Sequence, residues 1–293
     1  DTEWGQALFT YTDKVDYQHK LYEFKIPISE MGDIKDGEIQ LAFSAYGTMA
    51  LPYYGMNPDL AFNKDADNYL VVYKGIQNGF GIYGRFADEN AEWIGYDYYR
   101  FDNDLSYIYD DEDLEYGINI EDPAVAYDSI NKKFLVIWEC SLDDYGDAKL
   151  VGQFVNPDGS ADGNTFLISD IDKYCESGPA IAYNDINGEF LVVWEDYDPE
   201  DHSSGTNIYG RIVDYDKTPI MGEIEEICGH NGNQSNPSVA FGKEDNCYLV
   251  VWEDYYTRGI YGCNLKNGNK VQTFPVKSVS GSPADNTRRD PSV

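Results

Sequence analysis

One spacing recurs four times in this chain and governs what it can fold into. Pro58 to Tyr73, Pro123 to Trp138, Pro179 to Trp194 and Pro237 to Trp252 are each 15 residues apart. The proline opens Pro58-Asp-Leu-Ala-Phe62, Pro123-Ala-Val-Ala-Tyr127, Pro179-Ala-Ile-Ala-Tyr183 or Pro237-Ser-Val-Ala-Phe241. The aromatic closes Leu70-Val-Val-Tyr73, Leu135-Val-Ile-Trp138, Leu191-Val-Val-Trp194 or Leu249-Val-Val-Trp252. Between them lies a polar turn. Self-similarity at a fixed period is the signature of repeat architectures, because one unit cannot bury its apolar faces alone.

A third segment follows each time after a variable loop: Ile82-Tyr-Gly-Arg85, Leu150-Val-Gly-Gln153, Ile208-Tyr-Gly-Arg211 and Ile260-Tyr-Gly-Cys263. A weaker fourth follows turns such as Asn156-Pro-Asp-Gly159. The runs are β-branched and aromatic, and too short for helices, so each unit reads as four short strands. Successive prolines are 65, 56 and 58 residues apart, and Pro291 comes 54 after Pro237. Four-stranded units at this period predict an all-β fold, a β-propeller; the alternatives are a linear β-solenoid or a run of sandwiches. The Pro-x-Val-Ala strand is expected innermost, where small Ala lets blades converge. The Leu-Val-Val-Trp strand is expected to be buried on both faces, and glycine in the third strand to admit a neighbouring blade closely.

The pattern Pro-x-Val-Ala-Tyr, turn, Leu-Val-Val-Trp-Glu-Asp, then Ile-Tyr-Gly-Arg resembles the propeller repeats of archaeal and bacterial cell-surface and secreted proteins. The resemblance covers about residues 57–293. It implies an extracellular propeller used for adhesion, envelope structure or recognition, and does not by itself imply catalysis.

The repeats divide the chain into 57–120, 121–176, 177–234 and 235–288. Residues 1–56 lack the repeat motifs but read as three strands, at 7–12, 20–28 and 38–46. The last residues, Asp290, Pro291, Ser292 and Val293, begin a further repeat within 289–293. One expectation is a five-bladed ring, with the last blade composed from both termini. The other is four repeats preceded by the tail of a β-sandwich module, with Asp290–Val293 donated to another subunit's open edge. Donation that does not close would build a filament.

Composition narrows the partners. With 53 Asp+Glu against 21 Lys+Arg the formal charge is −32, the opposite of the basic face that nucleic acid or anionic lipid requires. No apolar run approaches the roughly 20 residues that span a bilayer. The chain begins at Asp1 without a leader, as expected of a processed secreted protein or a fragment. The five cysteines show no C-x-x-C spacing, which argues against zinc or thioredoxin-type chemistry. Cys247 and Cys263 fall on adjacent strands of the fourth unit and form the disulfide candidate. Asn233-Gln-Ser235 is a glycosylation sequon, with Asn233 as acceptor.

Candidate chemistry lies on the loops after the second strands. Glu195, Asp196, Asp198, Asp201, Glu253 and Asp254 form an acidic set suited to Ca²⁺, the one cofactor considered, although no EF-hand loop is present. Solvated turn residues are the alternative reading. Paired carboxylates also invite glycoside hydrolysis. The acids recur at equivalent positions in several units, as scaffold residues would, so no catalytic residue is assigned and the expectation is a non-enzyme. The histidines His19, His202 and His230 lie in unrelated contexts. Tyrosine runs such as Tyr255-Tyr256 suit sugar or protein contacts. The function expected from sequence is an extracellular structural or adhesive propeller that contacts itself or a surface glycan or protein. A carbohydrate-binding module is second and a secreted glycoside hydrolase third.

Overall fold

The computed structural model describes residues 4–13, 18–27, 45–50, 56–75, 80–88, 92–95, 98–102, 118–141, 148–169, 175–197, 205–215, 220–221, 224–229, 232–266 and 269–276. Among these residues regular structure is entirely β, and no helix is long and apolar enough to cross a membrane.

Each repeat folds into its own antiparallel meander. The first sheet runs β4 (Met56–Asn63), β5 (Asn68–Gly75), β6 (Gly81–Asp88), β7 (Tyr99–Arg100). The second runs β8 (Asn119–Asp128), β9 (Lys133–Ser141), β10 (Lys149–Val155), β11 (Ala161–Leu167). In the third, β12 (Cys175–Asn184), β13 (Glu189–Tyr197) and β14 (Thr206–Asp214) are followed by a split outer strand, β15 (Ile220–Met221) and β16 (Glu225–Cys228), both on β14. The fourth runs β17 (Gln234–Gly242), β18 (Cys247–Asp254), β19 (Gly259–Lys266), β20 (Asn269–Val276). Neighbouring sheets meet through β4, β8, β12 and β17 in that order. Consecutive meanders packed face to face around their first strands make a β-propeller, with the Pro-x-Val-Ala strands innermost.

The Leu-Val-Val-Trp segments build the core because both of their faces are covered. Leu70 and Val72 of blade 1 meet Phe134, Val136 and Trp138 of blade 2. Leu135 and Ile137 in turn meet Phe190, Val192 and Trp194, and Leu191 and Val193 meet Tyr248, Val250 and Trp252. Alternation along a strand sends one set forward and the other back. Glycine in the third strand acts differently from expectation. A Cβ on Gly84 would lie 2.5 Å from the Phe101 ring, and one on Gly210 would lie 2.6 Å from Ile227. The close approach therefore comes from the outer edge of the same blade and not from the next one.

The turns joining first and second strands also tie blades together. Asn63, Asp128 and Asn184 are buried, and each side-chain oxygen accepts two backbone N–H bonds of its own turn, for example Ile130 and Asn131 onto Asp128 at 2.8 and 2.9 Å. Tyr127 of blade 2 donates to Asp65 in the turn of blade 1 at 2.8 Å, and Tyr183 of blade 3 donates to Asp128 in that of blade 2.

Near the N-terminus, β1 (Trp4–Asp13), β2 (Gln18–Pro27) and β3 (Ala45–Ala50) form a separate antiparallel sheet in that order. The third of these overlaps the expected 38–46 only at its last two residues. Residues 28–44 and 289–293, with the anticipated closing strand Asp290–Val293, lie outside the described residues.

Candidate functional site at the junction of blades 1 and 2

Every inner strand turns a sharp corner just before its proline. Asn57, Asp122, Gly178 and Asn236 have φ of 47°, 44°, 68° and 51°, left-handed values that Asn, Asp and Gly tolerate best. The pairing with the second strand shifts register at the same place in all four blades. Such bulges re-aim side chains, and here they do so at the ends of the inner strands beside the loops between second and third strands. In blade 4 the corner is held by a neighbour: Glu195 of blade 3 accepts the N–H of Asn236 at 3.0 Å.

The junction of blades 1 and 2 departs from this pattern. The position after the proline is Asp59 in blade 1, against Ala124, Ala180 and Ser238 elsewhere. The two corner positions are Glu121-Asp122 in blade 2, against Ser177-Gly178 and Ser235-Asn236 in blades 3 and 4. The residue after the second-strand aromatic is Lys74, against Glu139, Glu195 and Glu253. Three carboxylates thus gather where the other blades have small or neutral groups, and one ammonium where they have glutamate. Asp59 Oδ2 accepts the N–H of Val125 at 2.8 Å. Asn57 donates to Asp122, and Lys74, itself buried, pairs with Glu121.

Burial governs the acids. Desolvation pushes the Asp59 carboxyl up to about 6, against the bonds it accepts from backbone N–H groups of Val125 and Leu60. Desolvation, and then the neighbouring Glu121 charge, also raise Asp122, while Asn57 and Lys74 pull it down. Carboxyls whose acidity is shifted by burial are the usual raw material of acid–base catalysis. Asp59, Lys74, Glu121 and Asp122 were not singled out from sequence as functional residues. The signal was present in the aligned repeats, as the columns in which one blade departs from the others.

The residues that were singled out take other roles. Glu195 holds the corner of blade 4, as above. Asp254, also buried, accepts Thr257 N–H at 2.7 Å and Thr257 Oγ1 at 2.8 Å, closing its own hairpin. Asp196 is buried and Glu253 half-buried; Asp198 and Asp201 lie outside the described residues. Among the described residues no group of three or more His, Cys, Asp or Glu side chains converges as a metal-binding set. Cys247 and Cys263 carry thiols and not a mutual disulfide. The register explains this: Cys263 lies opposite Val250, and Cys247, three residues from Val250, faces the other side of the sheet. Asn233 is exposed, and its carbonyl accepts the N–H of Tyr255 at 2.8 Å. Tyr255 and Tyr256 are 70% and 80% exposed.

No protein-family model and no curated protein matches the chain. Solved structures do. A GH43 β-1,3-galactosidase, solved with galactodeoxynojirimycin, matches at 12% identity and TM-score 0.51, over 81% of this chain and 79% of its own. A GH43 endo-arabinanase from Bacillus licheniformis matches at 13% identity and TM-score 0.46, over 78% of this chain and 83% of its own. An exo-β-1,3-galactanase from Bifidobacterium bifidum matches at 15% identity and TM-score 0.47, over 70% of this chain and 66% of its own, just under two thirds. The likeness to the galactosidase shows the fold alone. The expectation of a non-enzyme is nevertheless corrected. A solved protein that shares this fold is a GH43 β-1,3-galactosidase, and the repeat symmetry behind that expectation is broken at Asp59 and Lys74, where blade 1 departs from the rest.

Proposed function

We propose that the chain is a carbohydrate-active propeller that receives a glycan at the junction of blades 1 and 2 and hydrolyses a glycosidic bond there. The observation that carries this reading is Asp59, an inner-strand carboxyl unique to blade 1, held near neutrality by desolvation and close in the fold to a second raised carboxyl, Asp122. Hydrolysis needs one carboxyl to protonate the departing oxygen and one carboxylate to take a proton from water or to attack the sugar. Asp59, with an acidity that keeps much of it protonated near pH 6, suits the acid. Asp122, steadied by Asn57, suits the base. Water's hydroxyl ends on the anomeric carbon and its proton on the base, while the acid's proton leaves with the aglycone. That a protein of similar fold is a GH43 β-1,3-galactosidase supports the substrate class.

The test is release of reducing ends from a panel of polysaccharides that includes β-1,3-galactan and arabinan. Asp59→Asn and Asp122→Asn are each expected to reduce the rate by about 10²–10⁴-fold. Release from none of the panel, or full activity in Asp59→Asn, would overturn the reading. The exposed Tyr255 and Tyr256 favour a second reading, glycan binding without cleavage. It predicts saturable calorimetric heats with the same glycans and no products.

We also propose that the ring has a fifth blade. Tyr69, Val71, Tyr73, Tyr83 and Ala87 line the face of blade 1 that points away from blade 2, and all are buried. A closing sheet built from β1–β3 and completed by Asp290–Val293 is of the kind that would cover such a face, and it accounts for the repeat that begins at Pro291.

A further inference from the structure

Lys74 stands where the repeat otherwise places glutamate. In blade 3 that glutamate, Glu195, accepts the corner N–H of Asn236. An ammonium has no acceptor and cannot do this. Lys74 instead reaches the side chain of Glu121, the residue immediately before the corner Asp122. Its side chain is 9% exposed against 32% for Glu121, so the pair is set into the junction and not in open solvent. Its ammonium also lies 5.8 Å from the centre of the Phe80 ring.

The surroundings make a cation necessary. Glu121 lies directly opposite Glu139 in the pairing of β8 with β9, and like charges at opposed positions destabilise a sheet. Asp122 follows on the same strand, and Asp59 lies on β4 of the adjoining blade. Among the described residues, the charged and polar groups that act on Asp122 are Glu121 on its own strand, Lys74 on β5 and Asn57 on β4, and Lys74 is the cation among them.

We infer that Lys74 is a positioning residue of this site. By pairing with Glu121 it neutralises the charge beside Asp122 and pins the pre-proline corner, so that Asp122 meets a bound glycan without an unmasked carboxylate next to it. The inference rests on the hydrolytic reading above, but its first test does not. Carboxyl ¹³C titration by NMR, with Asp122→Asn identifying the resonance, follows Asp122 directly. In Lys74→Met the Asp122 midpoint is expected to rise by about one pH unit, and in Lys74→Arg to return to the parent value. On a glycan that the parent cleaves, the pH–rate profile is expected to move with it.

An unmoved Asp122 midpoint in folded Lys74→Met would overturn the inference, even if the parent protein is an active hydrolase. A moved midpoint in a protein that cleaves no glycan would uphold the electrostatic role and overturn the hydrolytic reading. Lys74→Met leaves Glu121 half-buried without its cation and is exposed to misfolding. The companion variant Lys74→Met/Glu121→Gln removes both charges. It is expected to fold and to hold the Asp122 midpoint within about half a unit of the parent, since the cation and the anion that it masks leave together. A full-unit rise in that double variant would overturn the role assigned to the pair.

Discussion

Asp59 of blade 1 accepts the backbone N–H of Val125 in blade 2 at 2.8 Å, so a single carboxylate both joins two blades and occupies the candidate site. The two roles separate by pH. The folded-state acidity of Asp59 is raised to about 6 from 3.8, so between about pH 4 and 6 the folded chain holds a proton that the unfolded chain releases. Stability from this group is present below about pH 4 and is lost as pH rises through 6. Asp59→Asn keeps an acceptor for Val125 and never ionises. Its unfolding free energy is expected to exceed the parent's at pH 8 by an amount on the order of 2–3 kcal/mol, seen as a higher Tm, and to match it near pH 4, while glycan hydrolysis is lost. Equal Tm values at both pH values would show that the carboxylate is not desolvated.

The blade-to-blade latches have a measurable worth. Tyr183 donates its hydroxyl to Asp128, whose carboxylate also accepts Ile130 and Asn131 N–H groups and is fully buried. Because those other donors remain, Tyr183→Phe is expected to cost about 1–2 kcal/mol and not more. Urea unfolding followed by tryptophan fluorescence measures it. The Tyr183 hydroxyl is held well above the ordinary tyrosine range by desolvation first and then by Asp128, so no pH step from its ionisation is expected below about pH 10.

Gly159 in the outer turn of blade 2 lies under Tyr99 of blade 1: a Cβ there would sit 2.4 Å from the ring, and its φ is +86°. Gly159→Ala meets both a steric and a conformational penalty. It is expected to cost roughly 2–4 kcal/mol by thermal or chemical denaturation. Adding Tyr99→Ala should recover only the steric part. Full recovery would show that the backbone angle carries no cost.

Ring closure is open to a truncation. If Asp290–Val293 closes the ring in its own chain, deleting 289–293 should lower Tm and increase binding of a hydrophobic dye while the protein stays monomeric. Loss of polymer without loss of monomer stability would assign the strand to another subunit.

The charge of −32 predicts that salt stabilises the chain. Self-repulsion among exposed carboxylates is screened with a Debye length near 10 Å at 0.1 M. Tm should therefore rise between about 10 mM and 300 mM NaCl. A fall would mean that ion pairs such as Lys243–Asp185 outweigh the repulsion.

How much of this was legible beforehand depends on the kind of signal. Strand order, the innermost position of Pro-x-Val-Ala and the double burial of Leu-Val-Val-Trp all follow from a spacing repeated four times, because a repeat averages away local accident. The Glu-Asp pairs after the tryptophans drew attention for the same reason, as the most repeated acids. Glu195 and Asp254 are occupied in holding corners and hairpins. Asp59, Lys74 and Asp122 are each a departure within their columns, and a departure reads as noise until its neighbours in space are known. The Cys247–Cys263 pairing failed on strand parity, which closeness along the chain does not reveal.

Local chain chemistry alone sets the grammar: short strands, polar turns, Asn, Asp or Gly at each corner, and apolar runs that demand cover on two faces. Those properties belong to each residue and its immediate chain. It took the packed blades to bring Asp59 to Val125 and Lys74 to Glu121, and to strip enough water from Asp59 and Asp122 to raise their carboxyls. Residues of separate repeats, 47 positions apart for Lys74 and Glu121 and 66 for Asp59 and Val125, interact only after the blades pack. Desolvation, the force that tunes the site, exists only once they have.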